Sequence, residues 1–533
     1  MECGPTKIEF TRQESARDTP LAGLRTLCPL YFATYQINLV QSSPAIYKFR
    51  QMLVLCSVLS DTYADNSIAL ATCFCLLATC MFSIFNCKNY SAPNAKKQRR
   101  VRDAQAQLQT QQMNDKSKTI WNKAAPPPAF EHPVSVALTG ARGMVGTGVV
   151  STLIQGGRCK HIVMLDVLTE ADDFQAQAEA AFNDHGVRLH YVCADITNKH
   201  DMCDPTGLVQ TTLKQANVQV MLHIAALVGP FFPTPAYLKV NYQGTLHVLD
   251  ACKVANVGAV VDCSSPSTRF DGSNIRGLNE EEVWTSLNQS YQGLHEYART
   301  KALGEQAVLQ AATTTKLSTC AVAPHQVYGP SDRLFLPSLL RNAKKGRLRV
   351  MGYGNNCVSF THESNIAHAL LLAAGALVAH VEWKRKGSVD DGSALCVMGK
   401  AGAKVNGEYM VVTDATSEYP AGLAINFWDA IDDALVQTEL GPIRSGAKGI
   451  CRLPYYGLLL PIAYLGSVFT RITGRFVNIT PFTIRMLVID RYFDIGKASA
   501  LLGYTPLVSF DDPRGWRASV EACYTYVAKE DGW

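Results

Sequence analysis

From residue 134 onward the chain alternates short apolar runs with stretches of helical spacing. Val134-Ser-Val-Ala-Leu-Thr139 is rich in β-branched residues and passes straight into a glycine-punctuated turn and a helical pattern. Further apolar runs follow at 161–165, 189–193 and 260–264, and the alternation continues to about residue 323. Such alternation predicts a parallel sheet with helices on both faces. The predicted fold is therefore α/β, a doubly wound parallel sheet over 133–323, with a smaller C-terminal substrate lobe over 324–533 that is assembled from insertions after the later strands and carries interspersed sheet elements. Residues 381–405 look long and polar, and an exposed loop is expected there.

The N-terminal quarter has a different rhythm. Residues 1–66 carry no motif that attaches to chemistry. The nineteen residues from Ser67 to Phe85 hold no charge, which is just long enough for a hydrocarbon core of ~30 Å, so 67–86 is predicted to be a transmembrane anchor. It lies too deep in the chain for an ordinary signal peptide. Lys88, Lys96, Lys97, Arg99, Arg100 and Arg102 follow it, whereas Asp61 and Asp65 precede it. The positive-inside rule then places everything downstream in the cytosol. Residues 87–132, basic and then rich in Gln, Asn and Pro, read as a tether. A second apolar run at 454–470 is interrupted by Pro461 and flanked by Arg452 and Arg471; it is expected to lie in a membrane interface, in contact with lipid.

Composition removes some partners. The net charge of +5 over 533 residues is mild and local, so nucleic acid is not implied. Seventeen cysteines include no CxxC pair and no zinc-spaced Cys/His cluster; they read as reduced thiols, and no metal is expected.

The chemistry lies between 134 and 301. Gly140, Gly143 and Gly146 are spaced for a Rossmann dinucleotide turn: the first permits the bend, the second lets backbone approach a pyrophosphate, and the third lets helix pack on strand. Arg142, Met144 and Val145 complete the turn and the helix N-terminus, where free N–H groups favour anions. Asp166 ends the next apolar run and is placed to accept hydrogen bonds from an adenosine ribose. That favours NAD over NADP, because a 2′-phosphate would meet its charge. Asp195 and Ile196 end the third run and are expected to border the adenine. Ala225 and Ala226 leave room for the cofactor, Asn241 is expected to brace it or an ordered water, and Pro324 leads from the sixth strand into the cleft. His223 is expected to pack beside the cofactor rather than transfer protons.

Tyr297 and Lys301, four apart on one helix face, point into the same space. A free tyrosine has a pKa of ~10, and a nearby cation favours tyrosinate, making it a usable general base. Ser265, at the end of the apolar run 260–264, is the candidate hydrogen-bonding partner for a substrate oxygen.

Gly140-x-x-Gly143-x-x-Gly146, His223-Ile-Ala225-Ala226, Val240-Asn-Tyr-Gln-Gly-Thr245, Ser264-Ser265 and Tyr297-x-x-x-Lys301 resemble, in that order, the extended short-chain dehydrogenase/reductase family. Ala323-Pro-His-Gln-Val-Tyr-Gly-Pro-Ser-Asp332 and Val358-Ser-Phe-Thr-His-Glu-Ser-Asn365 are similar to its 3β-hydroxysteroid dehydrogenase branch. The resemblance implies NAD-dependent oxidation of a sterol 3β-hydroxyl. It extends to loss of a 4α-carboxylate in sterol C4-demethylation, on the cytosolic face of the endoplasmic reticulum membrane, beside other sterol-demethylation enzymes and with a homodimer as one arrangement. Tyr297 would take the hydroxyl proton, Ser265 hold the oxygen, and Lys301 bind the nicotinamide ribose and lower the Tyr297 pKa. His325 and Tyr328 are candidates to line the cleft; Arg269, His325 and Arg333 are candidates to bind the carboxylate. Pro266 and Cys263 depart from the family pattern beside Ser265. Alternatives are a 3β-hydroxysteroid dehydrogenase coupled to double-bond isomerisation, a nucleotide-sugar epimerase, and a catalytically silent NAD-binding membrane scaffold.

Overall fold

A computed structural model describes residues 130–533 apart from 157, 169–170, 183–185, 230–231, 271, 282–294, 416–423, 439, 441–458 and 474–479. The predicted anchor at 67–86, the region 1–66 and nearly all of the tether lie outside the described residues.

Seven strands form one parallel sheet: β1 (Val134–Thr139), β2 (Cys159–Asp166), β3 (Arg188–Cys193), β4 (Val220–His223), β5 (Ala259–Cys263), β7 (Ser318–Pro324) and β11 (Tyr409–Val412). Their order across the sheet is β3-β2-β1-β4-β5-β7-β11. The chain reverses direction of winding between β1 and β4, the place where open parallel sheets bind ligands beyond the carboxyl ends of their strands. All six residues of β1 are buried, which is why its sequence is apolar almost without interruption rather than alternating.

Helix α1 (Met144–Gln155) follows β1, α2 (Thr245–Val254) precedes β5, and α3 (Glu296–Thr314) precedes β7. The 23-residue α4 (Glu363–Arg385) lies against α1 and the sheet. Its apolar length would suit a membrane, but 83% of its most apolar stretch is buried in the protein. It is a core helix, apolar all round because it is covered all round.

Sheet elements are interspersed in the lobe beyond 323: β11 pairs with β7, with Tyr409 opposite Ala321. The smaller lobe is discontinuous, as expected, and the two-residue strands β8 (Val327–Tyr328) and β10 (Thr361–His362) pair with each other. Its four-stranded sheet joins β6 (Ile275–Leu278) to β9 (Cys357–Val358), β12 (Ile425–Asn426) and β13 (Arg491–Phe493), in the order β12-β9-β13-β6. The closing segment is structural: Asn365 of α4 accepts the N–H groups of Leu507 and Val508, and the Tyr504 hydroxyl donates to the Thr413 carbonyl at 2.9 Å.

The loop expected at 381–405 is instead largely helix. α4 continues to Arg385, only 386–393 form an exposed turn, and α5 (Ala394–Val405) packs back on α4. Small residues on α5 permit that approach: a side chain at Gly402 would collide with the Ala376 carbonyl, and one at Gly399 with Trp383. Length and polarity alone do not reveal this pairing, because the contact surface is glycine. Gly402→Ala should therefore destabilise the protein by about 1–3 kcal/mol in denaturant unfolding; an unchanged midpoint would mean that 394–405 does not pack as described.

Candidate active site

The glycine turn has the shape its spacing predicts. Gly140 has φ +70°, and its N–H donates to the Leu165 carbonyl at 2.8 Å, tying the turn to β2. A side chain there would press on the Ala225 backbone at 3.0 Å, and one at Gly146 would collide with the Gly140 carbonyl. Arg142, Gly143, Met144 and Val145 are half-buried at the mouth of the turn. No side chain caps the N-terminus of α1, so its first N–H groups are left to a ligand. Ala225 and Ala226 are also half-buried, beside Gly140. These residues fit a dinucleotide pyrophosphate.

Asp166 ends β2 beside that turn. Its carboxylate accepts the Arg142 N–H at 3.0 Å and the Leu168 N–H at 3.4 Å. Burial pushes its carboxyl above the usual range, and the Arg142 N–H and guanidinium pull it partly back. Asp195 accepts both the N–H and the hydroxyl of Thr197 at 2.8 Å. Ile196 is core rather than ligand wall, packed against Gly244.

Ser265, Tyr297 and Lys301 come together. β5 delivers Ser264 and Ser265 to the sheet edge, and α3 presents Tyr297 in its first turn. The Tyr297 phenol is in hydrogen-bonding contact with Ser265 and Ser267, and the Ser267 hydroxyl donates to Ser265 Oγ at 2.9 Å. Pro266 opens a short 3-10 turn, Pro266–Arg269, capped by Ser265 itself; it organises the serine rather than disrupting it. Lys301 is buried, donating to the Cys263 carbonyl at 2.8 Å with Asp262 at 3.5 Å. Burial pushes the Tyr297 phenol up, and Lys301 and then Ser265 draw it back without cancelling that effect. The expected net lowering is therefore absent here: the ammonium acts in the predicted direction, but desolvation is larger.

The layer behind the trio explains which serine is which. Ser264 Oγ turns inward to Glu305, which also accepts the Thr268 hydroxyl and pairs with Arg269. Arg269 lies over the Tyr409 ring at 3.9 Å. Buried and already paired with Glu305, it does not serve as the carboxylate clamp. Breaking such a pair from one side typically costs about 3–5 kcal/mol. His223 is likewise structural: it bridges Thr139 at 2.9 Å and Thr245 at 3.0 Å, and burial followed by the Lys301 charge drives its pKa down to about 3. Asn241, in the π-helical stretch Leu238–Gly244, spends its amide on the N–H and carbonyl of Leu227 at 2.8 and 3.0 Å. It braces the loop beside the cofactor position rather than reaching into it.

On the substrate side, Pro324 ends β7 beside Ser265, since the Ser264 N–H donates to the Val322 carbonyl. His295 caps α3, accepting the Tyr297 N–H at 3.1 Å, and stacks on Phe482 with ring centroids 5.3 Å apart. Tyr328 does not line the cleft: it is fully buried and donates to Asp414 at 2.8 Å. Arg333 lies over the Tyr526 ring at 4.1 Å. Residues that sequence reasoning missed are Asp262, Ser267, His295 and Glu305. A carboxylate inside the apolar strand Ala259–Cys263 was the available signal for Asp262.

A doubly wound sheet with this glycine turn, an acidic residue ending β2 and a Ser/Tyr/Lys set at the next strand edge defines an extended short-chain dehydrogenase/reductase. The chain belongs to the 3-beta hydroxysteroid dehydrogenase/isomerase family, whose profile matches residues 137–389, and it is an oxidoreductase of that family. It is 30% identical over 386 residues to 3beta-hydroxysteroid-dehydrogenase/decarboxylase isoform 1 of Arabidopsis thaliana, covering 70% of this chain and 76% of that protein. It is 27% identical to a decarboxylating sterol-4-alpha-carboxylate 3-dehydrogenase of Saccharomyces cerevisiae, over 71% of this chain and 95% of the relative. Among solved structures, a dTDP-glucose 4,6-dehydratase of Streptomyces venezuelae with NAD bound shares the fold. Its TM-score is 0.50 at 19% identity, covering 75% of this chain and 99% of that one.

Asp262 helps to hold Lys301 cationic, and the Lys301 charge draws the Tyr297 phenol down. Asp262→Asn removes that support, so the phenol should ionise at higher pH and the acid limb of the alcohol-oxidation profile should move to higher pH. Lys301→Met should move the same limb the same way and further. A kcat/KM profile against pH for both variants checks both shifts, and an unmoved limb in Asp262→Asn would exclude this coupling.

Proposed function

We propose that the protein oxidises the 3β-hydroxyl of a sterol to the ketone with NAD and, where the sterol bears a 4α-carboxylate, releases that group as carbon dioxide. The observation that carries this reading is the convergence of Ser265, Tyr297 and Lys301 beside an intact dinucleotide turn. The sterol class comes from relatives at 27–30% identity named for 3β-hydroxysteroid or sterol-4-alpha-carboxylate dehydrogenation. Gly140, Gly143, Gly146 and the α1 N-terminus would hold the pyrophosphate, and Asp166 the adenosine ribose. When bound, NAD supplies the hydride acceptor.

Ser265 holds the substrate hydroxyl, and Tyr297 takes its proton as general base. Lys301, fixed by the Cys263 carbonyl and Asp262, supplies the charge that favours tyrosinate. In the resulting 4-carboxy-3-ketone the bond to the carboxylate breaks, carbon dioxide leaves, and the electron pair enters the ketone as an enolate. Ser265 and Tyr297 would hydrogen-bond that oxygen, and protonation of the ring carbon completes the step.

The reading includes a membrane location, in the endoplasmic reticulum, with the anchor at 67–86 and the catalytic part facing the cytosol. The helix Leu460–Thr473 supports it by leaving Tyr464, Val468 and Phe469 exposed at 52%, 47% and 40%, an apolar face suited to the headgroup region.

Turnover on microsomes with a sterol panel, following NADH and carbon dioxide with NAD or NADP, tests the proposal. Tyr297→Phe should lower NADH formation by about 10²–10⁴-fold while NAD affinity, read by equilibrium binding, stays near that of the unaltered protein. Retained turnover would remove the assigned base.

A further inference from the structure

A serine hydroxyl has one proton to donate and two positions that accept. At Ser265 both accepting positions are filled by one neighbour: Ser267 donates its hydroxyl to Ser265 Oγ at 2.9 Å and its N–H at 3.3 Å. The Ser265 proton is what remains, free to point at the Tyr297 phenol or at an oxygen brought beside it. Pro266 stands between the two serines, with a fixed φ and no N–H of its own. It opens the 3-10 turn Pro266–Arg269, and that turn brings the Ser267 N–H back onto the Ser265 side chain. The turn is clamped from below. Thr268 donates its N–H to the Ser265 carbonyl at 3.1 Å, and its hydroxyl lies 2.9 Å from that carbonyl and 3.1 Å from the Glu305 carboxylate. Ser265 is half-buried and Ser267 only 8% exposed, so Ser265 is the more open of the two hydroxyls.

The direction of this hydrogen-bond chain matters to the chemistry. An alcohol being oxidised has one hydroxyl proton to lose, and the base must receive it. A serine with an accepting position open would compete with the Tyr297 phenolate for that proton. With both positions filled, Ser265 gives a hydrogen bond to the alcohol oxygen and takes none, and the alcohol proton is steered to Tyr297. A chain of hydroxyls all donating in one sense also strengthens each bond in it. After the transfer, the Ser265 and Tyr297 O–H groups would both donate to the oxygen on which enolate charge develops, the arrangement that stabilises such charge best.

We infer that Ser267 is a positioning residue that fixes the Ser265 hydroxyl as a donor, leaving Tyr297 to accept the substrate proton. This deepens the proposed function and rests on its assignment of the substrate oxygen to Ser265. The test is a double-mutant cycle in the full chain on microsomes, read as kcat/KM for NADH formation from a 4α-carboxylated 3β-hydroxysterol at saturating NAD. Ser267→Ala should lower kcat/KM about tenfold, short of the ~10²–10³-fold expected when a donor itself is lost in Ser265→Ala. In the Ser265→Ala background the same change should cost no more than about twofold, the share left to the contact of Ser267 with Tyr297. Ser267→Thr, which keeps the hydroxyl, should recover most of the loss, with NAD affinity and the unfolding midpoint near those of the unaltered protein. Equal losses in the two backgrounds, or no loss in Ser267→Ala, overturns the inference. If the Ala variant does not fold, Ser267→Thr against Ser267→Val, equal in shape but without the hydroxyl, decides the matter, and equal rates overturn it. The two readings fail differently: NADH formed with additive losses sinks only the role of Ser267, whereas no NADH from any sterol sinks the sterol reading and this inference with it.

Discussion

The Lys301 ammonium is the charge around which the catalytic half is arranged. Buried at the foot of α3, it is held by the Cys263 carbonyl and by Asp262, both from β5. Burial works against its charge, but Asp262 and Tyr297 raise its pKa beyond that effect. The lysine therefore stays cationic where a lone buried amine would not. Because β5 supplies both the anchors of Lys301 and the serine that follows them, strand and helix cannot shift relative to each other without breaking the trio.

A second layer of polar groups keeps that geometry in register. Glu305, one helical turn beyond Lys301, takes Ser264 and Thr268 and pairs with Arg269, which in turn lies over Tyr409 of β11. The edge strand contributed from far along the chain is thus tied to the turn that carries Ser265. On the other side, His223 links β1 to α2 through Thr139 and Thr245, and its neutrality avoids adding a second cation beside Lys301. Arg491 is different: it carries a buried charge that no acid among the described residues answers.

Several elements were legible before any coordinates. The glycine spacing, the acid ending β2 and the Tyr297/Lys301 pair are local patterns, since their chemistry depends on neighbours a few positions away. Residues 381–405 were not legible, because helix pairing through Gly399 and Gly402 leaves no apolar stripe to read. Tyr328 and Arg333 misled for the opposite reason: each has the side chain of a site residue, and only long-range packing against Asp414 and Tyr526 consigns it to structure.

The amino-acid order by itself determined the sheet class, the dinucleotide turn and the pairing of Tyr297 with Lys301 on one helix face, because backbone conformation and helix periodicity act over short distances. The tertiary structure decided which of two adjacent serines faces the phenol, that Asp262 sits against Lys301, and that Arg269 is neutralised whereas Arg491 is not. Those outcomes depend on desolvation and on partners as distant in sequence as His325 and Arg491, and neither quantity is written in any local pattern.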